Sequence, residues 1–165
     1  MPALGSLLRA TSQIPVRRGS VRAVHALDAA VESLRDGQCV AVFPEGTISM
    51  DLDPMAGKSG TARLAQSAGV PVTPVGLWGA HRLMFKGRRP NPEPLVAEVA
   101  VVGEPIHIAP DENVRDATDR IMDGICACVR RARSIYPQRP RPGDEWWWRD
   151  PDTAVLRSCH GDTSA

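Results

Sequence analysis

Val40-Ala41-Val42-Phe43-Pro44-Glu45-Gly46-Thr47 is the stretch on which the reading of this chain turns. Val40 to Phe43 is a short apolar run of strand type, and Gly37 ahead of it is the usual residue at which a helix stops. Pro44 has no N–H for a sheet ladder, and Gly46 adopts backbone angles that other residues avoid. Glu45 is therefore expected on a turn at the carboxyl end of a buried strand, the edge of an α/β sheet where ligands bind.

Working outward, Ser20 caps a predicted helix that runs to about Asp36, with Val21, Val24, Leu27, Val31 and Leu34 on one stripe. Downstream, a polar loop from Ser49 to Gly57 carries Asp51 and Asp53, and a second helix is predicted from Ser59 to about Ala68, closed by Gly69. Val70 to Leu77 is the next strand. A helix between two apolar strands favours a parallel, right-handed crossover. Glu98 to Val102 and Ile106 to Ile108 read as short strands about a Gly-Glu-Pro turn. The last helix runs from about Asn113 to Ile135, with Val114, Ala117, Ile121, Ile125, Cys128, Ala132 and Ile135 at helical spacing. The fold class expected is α/β, a mixed and largely parallel sheet flanked by helices. The domain is placed at 1–135, with 136–165 a Pro/Arg/Trp-rich tail.

The 165 residues carry a net charge of +1, which excludes a global polyanion-binding character, so nucleic acid is not an expected partner. Lys58 and Lys86 are the only lysines among 20 basic residues, which makes each easier to single out. The four cysteines, Cys39, Cys126, Cys128 and Cys159, lack C-x-x-C spacing, so reduced thiols and no metal are expected. No run approaches the roughly 18 apolar residues that span a bilayer. The longest, Val70 to Ala80, is interrupted by Pro71 and Pro74.

Several constellations have a bland alternative. Gly57-Lys58-Ser59 invites a phosphate-loop reading, but G-x-x-x-x-G-K-[ST] needs glycine where Leu52 stands. Lys58 is read instead as a cation at a helix start, near the same sheet edge as Glu45 and able to meet an anionic ligand. Of the histidines, His81 is best placed, just past a strand end. His25, His107 and His160 have no recognisable catalytic setting. The loop Arg82-Leu83-Met84-Phe85-Lys86-Gly87-Arg88-Arg89 sets cations around large apolar residues. That suits either anionic lipid headgroups or a loop with its apolar residues tucked inward. Trp146-Trp147-Trp148 fits either a second interfacial contact or a cap on the core.

With these blocks in place, the chain resembles the 1-acylglycerol-3-phosphate acyltransferase family of glycerolipid acyltransferases. Gln13-Ile14-Pro15-Val16-Arg17-Arg18-Gly19 looks like the family's second block, whose arginine corresponds to Arg18. Glu45, Gly46 and Thr47 fall on the third block. Gly57 to Ala65 is similar to the helix after it, and Val70-Pro71-Val72-Thr73-Pro74-Val75 to the fourth block. The resemblance covers about Leu4 to Ser134. It implies transfer of a fatty acyl group from acyl-CoA or acyl carrier protein to a lysophosphatidate-type acceptor. No bound cofactor is implied. Arg18, Glu45, Gly46, Thr47 and Lys58 would bind substrate, on the inner cytoplasmic face of the cell membrane as a peripheral protein.

Two departures accompany the resemblance. Ile48-Ser49 stands where the third block usually continues with arginine. The family's general base is a histidine in H-x-x-x-x-D, oriented by the aspartate, and no such motif occurs in these residues: Ala30 follows His25 at that spacing, Lys86 follows His81 and Glu112 follows His107. The family places that motif upstream of the second block. The expectation is a domain lacking its amino-terminal catalytic portion, with no catalytic residue in the chain and little or no activity alone. A non-catalytic lipid-phosphate or membrane-surface binding module, and an acyltransferase for another lipid acceptor, remain as alternatives.

Overall fold

The computed structural model describes residues 22–91 and 93–148. Arg18, the expected Ser20 cap and the tail beyond Trp148 lie outside the described residues, as does the side chain of His25.

Three helices and two strands make up the described fold. Helix α1 is Arg22–Arg35, α2 is Gly60–Ala68 and α3 is Val114–Ser134, while β1 is Val75–Trp78 and β2 is Val99–Val102. Helix α3 has the clearest local cause. Asn113 caps it, its side chain accepting from the N–H of Arg115 and satisfying one of the donors a helix start leaves open. Arg131 and Arg133 in the last turn complement the negative end of the helix dipole.

The sheet departs from the expected architecture. It has two strands, and they are antiparallel, with Val75 opposite Val102 and Trp78 opposite Val99. An isolated antiparallel bridge joins Val72 to Ile106. Thr73 and Pro74 thus face three residues, Gly103 to Pro105, across the gap between ladder and bridge, an extra residue of the kind a β-bulge inserts. The parallel crossover expected between the 38–43 run and the 70–77 run is absent. Residues 38–43 form no strand, and Val42 and Phe43 are 43% and 79% exposed. The physical reason lies in pairing. A strand needs a neighbour to fill its ladder, and among the described residues the 70–78 segment pairs along one edge only, with 99–106, so the 38–43 run has no ladder partner.

One face of the small sheet is buried by α3. Gly76 makes this possible: a Cβ there would lie 2.3 Å from the Val129 backbone nitrogen, so only a bare backbone lets helix and strand approach so closely. Trp78, Val129, Ala132, Tyr136 and Trp147 form the main core cluster, and Ala62, Ala117 and Ile121 a second one beneath α2. On the opposite sheet face Val75, Leu77 and Val102 stay exposed.

The segment after α3 folds back onto this core. Trp147 is fully buried, and both its indole N–H and that of Trp146 donate to the Asp144 carboxylate, at 3.0 and 2.9 Å. Of the two readings of the tryptophan run, the cap on the core is the one observed at Trp147. Buried Arg82 ties this segment to the 80–97 loop. It donates to Tyr136 Oη and Gln138 Oε1, pairs with Glu93 at 3.4 Å and stacks 4.2 Å over the Trp147 ring. Cys39 and Cys128 are free thiols. Burial pushes the Cys128 thiol up, away from the reactive thiolate.

Candidate functional site

The turn after residues 38–43 forms as expected even though the strand does not. The Gly46 N–H donates to the Phe43 carbonyl at 3.2 Å, and Gly46 takes a φ of 65°, in the left-handed region that favours glycine. Twelve residues beyond Gly46 the chain returns. The Lys58 N–H donates to the Pro44 carbonyl at 2.9 Å, closing residues 45–57 into a loop with a narrow neck.

That neck brings Glu45, Gly46 and Lys58 together. A methyl group on Gly46 would sit 3.0 Å from Lys58 Nζ, so the ammonium rests against the bare glycine backbone. Glycine is thus required twice, for its φ and for the room it leaves the lysine. Lys58 is exposed and forms no ion pair among the described residues. Glu45 is partly buried, and its Oε2 accepts from the Met55 N–H at 2.8 Å. Burial raises its carboxyl above the ordinary value, and the Met55 N–H partly offsets this by stabilising the carboxylate. Thr47 is exposed at the same turn. Arg18, the fifth residue expected here, lies outside the described residues.

The loop is tethered at its far side. Arg133, on the last turn of α3, has a side chain only 3% exposed and pairs with Asp53 at 2.7 Å. It also donates to the Leu52 carbonyl and lies 4.2 Å over the Trp78 ring. Leu52 has a φ of 64°, a conformation that costs a non-glycine residue about 1–3 kcal/mol and persists only where its surroundings enforce it. The Arg133 contacts supply that enforcement.

Sequence reasoning missed both holding devices. Met55 acts through its backbone N–H, which leaves no mark on residue type. Arg133 and Asp53 lie 80 positions apart, and neither spacing nor periodicity connects them. Of the remaining candidates, His81 sits on the 3₁₀ turn after β1, its ring 4.4 Å from Trp78. Among the described residues no group of histidine, cysteine and acidic side chains is arranged to hold a metal ion.

An arrangement of this kind presents a carboxyl that can accept from a hydroxyl beside a cation that can meet a phosphate. A model of the acyltransferase family matches residues 1–78, just under half of the chain. Among the individual proteins it is similar to, the 1-acyl-sn-glycerol-3-phosphate acyltransferase of Chlamydomonas reinhardtii is 30% identical over 135 residues, which is 80% of this chain and 37% of the relative. The chloroplastic enzyme of that name from Brassica napus is 34% identical over 90 residues, covering 53% of this chain and 26% of the relative. The crystal structure of the 1-acyl-sn-glycerophosphate acyltransferase PlsC from Thermotoga maritima superposes with a TM-score of 0.59 at 26% identity, over 86% of this chain and 54% of that one. The chain therefore spans little more than half of the solved relative and well under half of the curated ones.

Proposed function

We propose that this chain contributes the acceptor-binding part of a phospholipid-synthesising acyltransferase that acts on 1-acylglycerol-3-phosphate. The observation that carries the reading is the neck of the 45–57 loop, where the Lys58 ammonium rests against Gly46 and Glu45 stands next to it on the turn, its carboxylate on the Met55 N–H. In this reading Lys58, with Arg18, meets the acceptor phosphate, while Gly46 and Thr47 shape the turn and Glu45 accepts from the glycerol hydroxyl. In the reaction, that class of hydroxyl oxygen attacks the thioester carbonyl of acyl-CoA or acyl-carrier protein. An ester forms, the carbon–sulfur bond breaks and the donor leaves as a thiol. We assign the removal of the hydroxyl proton to no residue of this chain, since H-x-x-x-x-D is absent from it. The 165 residues alone are expected to bind acceptor without acylating it, since a general base is typically worth about 10²–10⁴-fold.

No helix among the described residues is long and apolar enough to cross a membrane. Leu83 and Met84, 40% and 74% exposed beside Lys86, support a loop that dips into the inner face of the cell membrane and reaches an acceptor held there.

The test is a chimera in which residues 4–134 replace the corresponding stretch of the Thermotoga maritima enzyme. Acylation of lysophosphatidate by the chimera, lost on Glu45→Ala, is the expected result. A folded chimera with no acyl transfer to lysophosphatidate would favour the non-catalytic binding module, or another lipid acceptor if a panel of lysolipids is turned over. An ordinary enzyme rate from the 165-residue chain would refute the assignment of no general base.

A further inference from the structure

Helix α3 meets the 45–57 loop at two levels. Arg133, in its last turn, fastens Leu52 and Asp53. About three turns earlier on the same face, Met122 lies under Gly57. A Cβ on Gly57 would stand 2.7 Å from both Cγ and Sδ of Met122 and 3.3 Å from Cγ2 of Thr118. Non-bonded carbon atoms settle at about 3.5–4.0 Å, so the thioether fills the room that a side chain at 57 would need. Met122 is itself fixed, being fully buried with Cys126 and against Ile125. Thr118 is fixed as well: its hydroxyl donates to the Val114 carbonyl at 2.7 Å, which leaves the methyl for Gly57.

Gly57 precedes Lys58, and the lysine depends on that footing. Its ammonium forms no ion pair among the described residues, so no partner charge sets its direction. The stem lies along Gly46 instead: a methyl there would come 3.0 Å from Nζ, 3.3 Å from Cε and 3.4 Å from Cδ. Contacts of this kind direct a long, rotatable stem only while its Cα stays in place. Two anchors hold that Cα. One is the bond from the Lys58 N–H to the Pro44 carbonyl at 2.9 Å. The other is Gly57 on Met122. The hydrogen bond fixes a distance to Pro44 but lets the strand of the neck tilt about it, and the Met122 contact removes that freedom.

We infer that Met122 is a positioning residue for Lys58: by seating Gly57 it fixes where the ammonium stands over Gly46, and so where a phosphate oxygen is met. The first half concerns the geometry of the chain alone. The second, that acceptor affinity follows that geometry, rests on the acceptor-binding reading.

Lys58 and Lys86 are the only lysines, so isotopically labelled lysine gives one side-chain NMR signal for each, with Lys86 as internal reference. The test follows the Lys58 signal and its NOE to the Gly46 amide, alongside calorimetric titration with a short-chain lysophosphatidate. Gly57→Ala and Met122→Ala should each move the Lys58 signal, weaken the NOE and lower the affinity about tenfold. The Gly57→Ala/Met122→Ala double variant should recover most of both, because the new methyl enters the space that the thioether leaves. Met122→Leu, close in volume, should stay within about twofold of the parent. Two controls separate position from stability. Gly60→Ala sets a methyl in open space just past Lys58, and Val129→Ala thins the α3 core away from the neck, so neither should move the Lys58 signal.

An unmoved Lys58 signal in Gly57→Ala or Met122→Ala would overturn the inference, as would an equal shift in Val129→Ala or a double variant no better than the single ones. If Met122→Ala fails to fold, Gly57→Ala against Gly60→Ala decides it. Unchanged affinity in variants whose Lys58 signal has moved would overturn the second half. A parent chain that binds no lysophosphatidate would refute the acceptor-binding reading, and the Lys58 signal would still decide the positioning.

Discussion

Asp53→Ala should be among the most damaging single substitutions on the surface of this protein. Asp53 itself is 22% exposed, but its partner Arg133 is only 3% exposed. Removing the aspartate takes from the buried guanidinium the carboxylate that sits 2.7 Å from it. Breaking one side of a fully buried pair costs about 3–5 kcal/mol. Here the Leu52 carbonyl and the Trp78 ring continue to support Arg133, and Asp53 already sees some water. An expected cost of about 2–3 kcal/mol follows. At this chain length that lowers Tm by about 4–12 °C. Thermal and urea unfolding of Asp53→Ala, Arg133→Met and the double variant would measure it as a double-mutant cycle. The double variant should be more stable than Asp53→Ala alone, because the buried charge goes with the arginine. If Asp53→Ala costs under about 0.5 kcal/mol, the pair behaves as an ordinary surface ion pair and the tether described for the 45–57 loop is refuted.

Other outcomes follow from single contacts. Gly76→Ala sets a methyl 2.3 Å from the Val129 backbone nitrogen, and since the obstacle is backbone, the cost should reach or exceed the about 1–3 kcal/mol of ordinary overpacking, read from urea unfolding. Asn113→Ala should cost about 1 kcal/mol through loss of the α3 cap, with the ligand affinity of the chain unchanged. Lys58→Met should weaken binding of a short-chain lysophosphatidate about tenfold while leaving Tm near its starting value, since the lysine is exposed. Glu45 has a pH signature. Burial raises its pKa in the folded state, so its contribution to stability is present below the ordinary value of 4.5 and is lost as pH rises through the raised folded value. Glu45→Gln should flatten the stability profile above pH 4.5, and an unchanged profile would show that the carboxyl is not desolvated.

Helices were the legible part of this fold. The α3 pattern from Val114 to Ile135 and the Gly37 and Gly69 stops all lie within a few residues of where the sequence puts them, because helix signals are local. Strand partners were not legible. The apolar run at residues 40–43 has strand composition, but composition does not specify a neighbour, and 72–78 pairs with 99–106 through contacts distant in sequence. At the site the split is similar. Glu45, Gly46 and Lys58 were visible as residue types, and the neck that joins them depends on a backbone bond between Pro44 and Lys58 that no side chain encodes. The buried Trp147 was one of two readings until Arg82 and Asp144 were seen to receive it.

The pinched base of the 45–57 loop has a consequence for how the protein can vary. Glu45 and Lys58 keep their separation through the Pro44–Lys58 bond, and the far side is pinned at Leu52 and Asp53. Between the two fastenings, Thr47 to Asp51 is exposed or half-exposed chain. Doubling the length of a flexible stretch adds only about 0.6 kcal/mol of closure entropy. Insertions there leave the neck untouched, so the residues facing a ligand's remote end can be exchanged or lengthened while the charged pair stays in register. The loop separates a fixed grip from an adjustable rim.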